Sequence, residues 1–247
     1  MIPVISIIVP AYHASDFIKD AIKKKLGILD SLKVPYELIL VIDGKDELSK
    51  REIVEFSKIE QFKVVYLKNN HGKGFAVRRG MQSAKGKYIG YMDVDNDIDP
   101  KVIRDMYEVI NNSDYTAVLP SKVHKLSVIN YPFKRKIFSK TYNFLVTKIF
   151  KLNCSDTQLG AKIYTNSLVQ KVLPLCSIDG FAFELEMLII ARKLDLLNFI
   201  EIPVLVNYKT QTTISFKNGL NVLSDTFKFF FRIKEIGTNK KKTKKRI

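Results

Sequence analysis

The feature that most constrains this chain of 247 residues is a series of short apolar runs at residues 4–9, 36–42, 64–67, 88–93 and 117–120. Each is bounded by glycine, proline or polar residues, as buried strands usually are. The stretches between them carry helical spacing. Phe17, Ile18, Ala21, Ile22 and Leu26 predict a helix to about Ser31, with Ser15 or Asp16 as its cap. Residues 48–60 and 74–85 read as further helices, and Pro100 suits the first turn of one running to about residue 110. Uniformly apolar strands alternating with helices predict an α/β fold, with a mostly parallel central sheet flanked by helices.

Past residue 120 the rhythm changes. Helices are expected at 134–150, near 167–173 and at 183–194, with a strand at 161–164. Residues 199–208 look β-like, but Pro203 demotes them to an edge or bent strand. The expected organisation is a main domain over residues 1–210, an amphipathic helical region over 211–236, and a flexible basic tail over 237–247. In the helical region Leu220, Leu223, Phe227, Phe230 and Phe231 are expected on one face.

The formal charge is +16, and it falls to +10 without the six basic residues between Lys240 and Arg246. A body this basic points to a polyanionic partner: nucleic acid, a phosphorylated ligand or an anionic membrane. No zinc-finger spacing, basic zipper or RNA-recognition motif is present, so nucleic acid is not expected. Cys154 and Cys176 form neither a metal-binding spacing nor a dense disulfide framework. With no signal peptide and no apolar run long enough to span a bilayer, a cytoplasmic setting is expected.

Several polar residues stand where strands end, the position at which open α/β sheets bind ligands. Asp93-Val94-Asp95 closes the fourth run, and two carboxylates so close repel one another. A shared Mg²⁺ or Mn²⁺ on a diphosphate removes that conflict. Pro10-Ala11-Tyr12 follows the first run and Asp43 the second, offering an aromatic ring and a carboxylate to a nucleobase. Gly72-Lys73-Gly74 opens a helix whose N-terminal amides and lysine suit phosphate. Its spacing matches neither a P-loop nor a dinucleotide fingerprint.

Taken together, SIIVPAY (6–12), LILVIDG (38–44), GKGFAVRRG (72–80) and KGKYIGYMDVD (85–95) resemble the nucleotide-sugar-binding half of family-two inverting glycosyltransferases of the GT-A fold. DTQLGAK (156–162) and FAFELEMLIIA (181–191) are similar to motifs of the polyprenyl-phosphate glycosyltransferases, the dolichol-phosphate mannose synthase and dolichyl-phosphate glucosyltransferase group. The resemblance covers roughly residues 4–210. It implies that Pro10, Ala11, Tyr12 and Asp43 contact the nucleotide, and that Asp93, Val94 and Asp95 hold the metal and diphosphate with Lys73 nearby. Lys122 and Arg135 would face phosphate oxygens. Asp156, Gln158, Gly160, Lys162 and Glu186 would form an acceptor-side or structural motif. Asp97, Leu159 and Ala161 depart from the mannose-synthase pattern, so the donor sugar stays open.

The implied reaction moves a sugar from a UDP- or GDP-sugar to a polyprenyl phosphate at the cytoplasmic membrane face. A lipid phosphate needs no general base. A glycan hydroxyl acceptor would need one, and Glu184 stands at the family's acidic position. A rival of another class is a non-catalytic basic module that binds polyanions or membrane. The phenylalanine-rich C-terminal stretch reads either as core or as a peripheral membrane device that works with the lysine tail. Oligomeric state is left open.

Overall fold

The computed structural model of the chain describes residues 2–130, 150, 152–207, 224–226 and 228–233. Arg135, the boundary at 210/211 and the basic tail lie outside the described residues, as does most of the helix expected at 134–150. Five strands expected from the sequence are present: β1 (Ile5–Ala11), β2 (Tyr36–Asp43), β3 (Phe62–Leu67), β4 (Tyr88–Met92) and β5 (Ala117–Pro120). Between them run α1 (Ile18–Ser31), α2 (Glu47–Glu52), α3 (Lys73–Ser83) and α4 (Val102–Asn111). The second half contributes β6 (Val128–Asn130), β7 (Ala161–Thr165), α5 (Asn166–Val172), α6 (Phe183–Lys193), β8 (Phe199–Ile202) and β9 (Leu205–Asn207).

The main sheet has the order β3-β2-β1-β4-β7-β5-β8, and β7 alone among these strands runs antiparallel to its neighbours β4 and β5. Pairing of β1 with β2 and β4 brings Ala11, Asp43 and the end of β4 to one edge of the sheet. Alternate residues of each strand serve opposite layers. Ile7 and Val9 face α1 and α4, whereas Ile8 packs with Ala76, Val77 and Met81 of α3 and with residues of α6.

Three expectations change. No side chain caps α1; the amides of Phe17 and Ile18 both donate to the Ala14 carbonyl, so the helix begins later than Ser15 or Asp16 would start it. The helix expected at 48–60 breaks at Ile53 into α2 and a 3₁₀ turn, Val54–Lys58. Residues three apart eclipse in such a turn, which keeps Ile53 and Phe56 both buried. Pro203 does more than bend a strand. It separates β8 in the main sheet from β9, which pairs with β6 in a second, two-stranded sheet.

In the C-terminal helical segment the buried face carries Thr226, Phe229 and Ile233, while Phe231 is exposed. Of the face expected from the sequence, Leu220, Leu223 and Phe227 lie outside the described residues, Phe230 is half-buried against Phe150, and Phe231 alone departs from it. The 3-4 spacing that meets the core runs through 226, 229 and 233, and Phe229 and Ile233 join the core cluster beneath α6. No helix among the described residues is long and apolar enough to cross a membrane.

Candidate active site

Asp93 sits one residue past β4, and its amide still donates to the Gly160 carbonyl at 2.7 Å. Its carboxylate fills the space beside Gly160, where an added Cβ would come within 1.8 Å of Asp93 Oδ2. Beyond Asp93 the chain bends, and the Asp97 amide folds back onto Asp95 Oδ1 at 3.3 Å. Burial pushes the Asp95 carboxyl up to about 6, and the charges of Asp93 and Asp97 push the same way. Burial also raises Asp93, although Lys73 opposes it.

Lys73, the first residue of α3, is the nearest cation. Its Nζ lies 2.6 Å from Asp93 Oδ1 and 2.7 Å from Glu184 Oε1. Lys162 of β7 reaches Glu184 Oε2 at 2.7 Å and the Leu159 carbonyl at 2.7 Å. Asp93, Lys73, Glu184 and Lys162 thus form a chain of alternating charge over the Tyr91 ring, half-buried at Asp93 and fully buried at Lys162. Burial alone would raise the Glu184 carboxyl, but Lys162 and Lys73 overcome it and hold the group below the ordinary carboxylate range. Glu184 is neither a surface residue nor a free one: both oxygens are engaged.

The glycines around Lys73 have a different task from the one expected. Gly72 takes φ +104°, and an added Cβ on Gly74 would lie 2.6 Å from the Gly180 carbonyl oxygen. The Phe75 amide donates to the Asp179 carbonyl at 3.1 Å. The segment before α6 therefore packs on the start of α3, and these glycines serve close packing. Asp43 helps to hold this loop, its two oxygens accepting from the amides of His71 at 2.9 Å and Gly72 at 2.7 Å. Pro10 and Ala11 are buried in β1, which leaves Tyr12 as the exposed member of that trio. Its ring lies 4.1 Å from that of His13.

On the far side, the fully buried Asp156 accepts from the Lys122 amide at 3.1 Å and the Gln158 amide at 3.3 Å, and Lys122 Nζ stands 3.5 Å away. Lys122 is thus already paired. Glu186 turns away from Glu184. It accepts from the amides of Ser177 and Ile178 and pairs with Arg232, tying the segment before α6 to the C-terminal helical segment.

One residue here escaped sequence reasoning. Lys25 of α1 is wholly buried, and its Nζ reaches the carbonyls of Val94 at 3.5 Å and Asp95 at 3.4 Å. Burial lowers its pKa to about 8 against the pull of Asp95 and Asp93. The signal was available: Ile18, Ile22, Lys25 and Leu29 occupy one helical stripe, in which a lysine is out of place.

Among the described residues no group of three or more His, Cys, Asp or Glu side chains is assembled to hold a metal ion. The donor set nevertheless fits Mg²⁺ or Mn²⁺ in the manner of phosphate-bound ions, which take one or two carboxylates and fill the remaining positions with phosphate and water.

Comparison with known proteins agrees with this architecture. The family model described as Glycosyl transferase family 2 matches residues 6–173. A dolichyl-phosphate beta-glucosyltransferase of Dictyostelium discoideum is 29% identical over 206 residues, covering 78% of this chain and 63% of that protein. The Homo sapiens protein of the same name is 26% identical over 215 residues, covering 81% and 64% respectively. The chain thus spans a little under two thirds of the length of these relatives. Glucosyl-3-phosphoglycerate synthase from Mycobacterium tuberculosis, solved with Mn²⁺, uridine diphosphate and phosphoglyceric acid, superposes with a TM-score of 0.72. It shares 15% identity, and the match covers 92% of this chain and 78% of that one. The two share a fold.

Proposed function

The chain belongs to glycosyl transferase family 2, and from that premise we propose that it is a metal-dependent, inverting glycosyltransferase acting on a polyprenyl phosphate. The donor is a UDP- or GDP-sugar, with glucose the first sugar to test, because the relatives named above are glucosyltransferases. In this reading Asp93 and Asp95 hold a divalent cation on the donor diphosphate. When bound, the ion supplies positive charge for the diphosphate as it leaves. Lys73 and Lys162 add fixed positive potential beside Asp93. Tyr12 offers its exposed ring to the base, and Asp43 holds the loop on which Lys73 begins its helix. A phosphate oxygen of the acceptor attacks the anomeric carbon from the face opposite the leaving group. The new C–O bond forms as the bond to the diphosphate breaks, and configuration inverts.

The observation that carries the acceptor class is the environment of Glu184. A glycan hydroxyl must lose a proton to a base, but both Glu184 oxygens are ion-paired at 2.7 Å and the group is held in its ionised, weakly basic form. A phosphate monoester, with its second pKa near 6, arrives already ionised and needs no base. Glu184 then positions Lys73 and Lys162. Because a polyprenyl phosphate resides in a bilayer, this reading includes a peripheral encounter with the cytoplasmic membrane face, to which the basic residues 240–246 are suited.

Incubation with polyprenyl phosphate, Mg²⁺ or Mn²⁺, and a panel of UDP- and GDP-sugars tests the proposal. Label is expected in the organic phase with one donor. Label in a glycan product alone would overturn it. The Glu184→Gln variant sharpens the test. A positioning role predicts less than about a tenfold change in kcat with a raised donor KM, whereas a base would cost about 10²–10⁴-fold in kcat.

A further inference from the structure

A buried ammonium is costly, since taking a charge out of water carries a penalty of several kcal/mol. Methionine would fill the same core position without that penalty. Lys25 nevertheless sits at 0% exposure in the apolar stripe of α1. Its Nζ points at the carbonyls of Val94 and Asp95, inside the negative field of Asp93 and Asp95. On the preceding turn, Asp20 Oδ2 accepts from Asn96 Nδ2 at 2.8 Å. The same helix therefore holds three successive residues of the acidic turn, 94, 95 and 96. Its two links are unlike in setting, because the Lys25 contact is enclosed and the Asn96 contact is exposed.

We propose that Lys25 is a positioning residue for the donor-diphosphate end of the site. From beneath the turn it fixes the backbone that presents Asp93 and Asp95, and it offsets part of their mutual repulsion before cation and donor arrive. The inference rests on the reading of that pair as the seat of the cation and diphosphate. The long Lys25 contacts of 3.4 and 3.5 Å do not clamp the turn by geometry alone; the charge is what the position requires. A purely space-filling side chain would leave residues 94–96 tied to α1 by the exposed Asn96 contact, with no charge beneath the acidic pair.

The test compares Lys25→Met, which keeps the stem and removes the charge, with Lys25→Arg, which restores charge. Two readouts are needed. Hydrogen exchange of the amides of residues 95–97 in the ligand-free protein reports the turn by itself. Electron paramagnetic resonance titration of Mn²⁺ with UDP or GDP reports the seat. Lys25→Met is expected to exchange faster at 95–97 and to bind Mn²⁺ with nucleotide about 10–100-fold more weakly, the range for residues that orient metal ligands. Lys25→Arg should recover part of both. Asn96→Ala, which cuts only the exposed tether, should change both in the same direction by less; Lys25→Gln, neutral and shorter, serves where Lys25→Met does not fold. Wild-type exchange and wild-type Mn²⁺ affinity in the folded Lys25→Met protein, or in Lys25→Gln where Lys25→Met does not fold, overturns the proposal. So does a loss that Lys25→Arg leaves entirely unrepaired. If the wild-type protein itself binds neither Mn²⁺ nor nucleotide, the reading of the acidic pair fails, while the exchange data still decide whether Lys25 holds the turn.

Discussion

Opposite edges of one sheet carry two carboxylate sites, one buried and one half-buried, and they are built on opposite principles. At the amino edge, Glu37 of β2 accepts from Ser6 Oγ at 2.6 Å, the Lys85 amide at 2.6 Å and Lys63 Nζ at 2.5 Å. Burial pushes its carboxyl up, but these donors more than cancel the effect and hold it below the ordinary range. At the carboxyl edge, Asp95 has Asp93 and Asp97 for neighbours, and its carboxyl is pushed up to about 6. The first carboxylate is satisfied and ties the turn before β4 to the sheet. The second has one backbone amide and only the partial pull of Lys25 against burial and two acidic neighbours. A fold can place the same chemical group at both edges and hold the two in opposite states, because burial and the number of donors around each decide which.

Breaking the contrast at the carboxyl edge should produce the largest effect. Asp95→Asn is expected to lower transfer by about 10²–10³-fold, comparable to loss of a transition-state electrostatic partner. The melting temperature without metal should hold or rise, since like-charge repulsion is relieved. A fall in melting temperature with activity intact would reverse the assignment of the two edges. Next comes Gly160→Ala, whose methyl group would occupy the place of the Asp93 carboxylate. A displacement of about 1 Å at a reacting site can cost about 10²-fold, and steady-state kinetics with the active donor should register that loss. Activity near wild type would mean that the position of Asp93 is not critical.

The smallest effect belongs to the amino edge. Glu37→Gln leaves buried donors short of a charged acceptor and should cost about 1–3 kcal/mol in denaturant unfolding, with transfer per folded molecule unchanged. The sign of its pH dependence is fixed by the lowered folded-state pKa. The Glu37 contribution is complete above the unfolded value of about 4.3 and is lost as pH falls through the lower folded value. Wild-type stability should therefore drop below about pH 5 more steeply than that of the variant. Parallel acid limbs would show that the amino edge is no better compensated than the other.

Much of this molecule was legible before any coordinates. The apolar runs gave β1, β2, β4 and β5 nearly residue for residue, since a strand buried on both faces leaves a continuous apolar signature. The antiparallel insertion of β7 between β4 and β5 left no such mark, because its residues read like those of any buried strand. Asp93 and Asp95 were visible as a pair that a strand end would expose. The pairing of Glu184 with Lys73 and Lys162 was not, because residues 111 and 22 positions away meet it only when α3, β7 and α6 pack together. Asp43 was visible as a carboxylate at a strand end, but not as the brace for residues 71 and 72.

The linear pattern thus determined which segments become strands and helices, and that acidic residues leave the sheet at the carboxyl ends of its strands. Local periodicity and strand termini are written in neighbouring residues. Which of those acids is neutralised, which is left short of positive charge, and which lysine is buried beneath them were decided by the tertiary structure alone. Burial and the count of nearby donors depend on residues brought together from distant parts of the chain, and those two quantities set how each charge behaves.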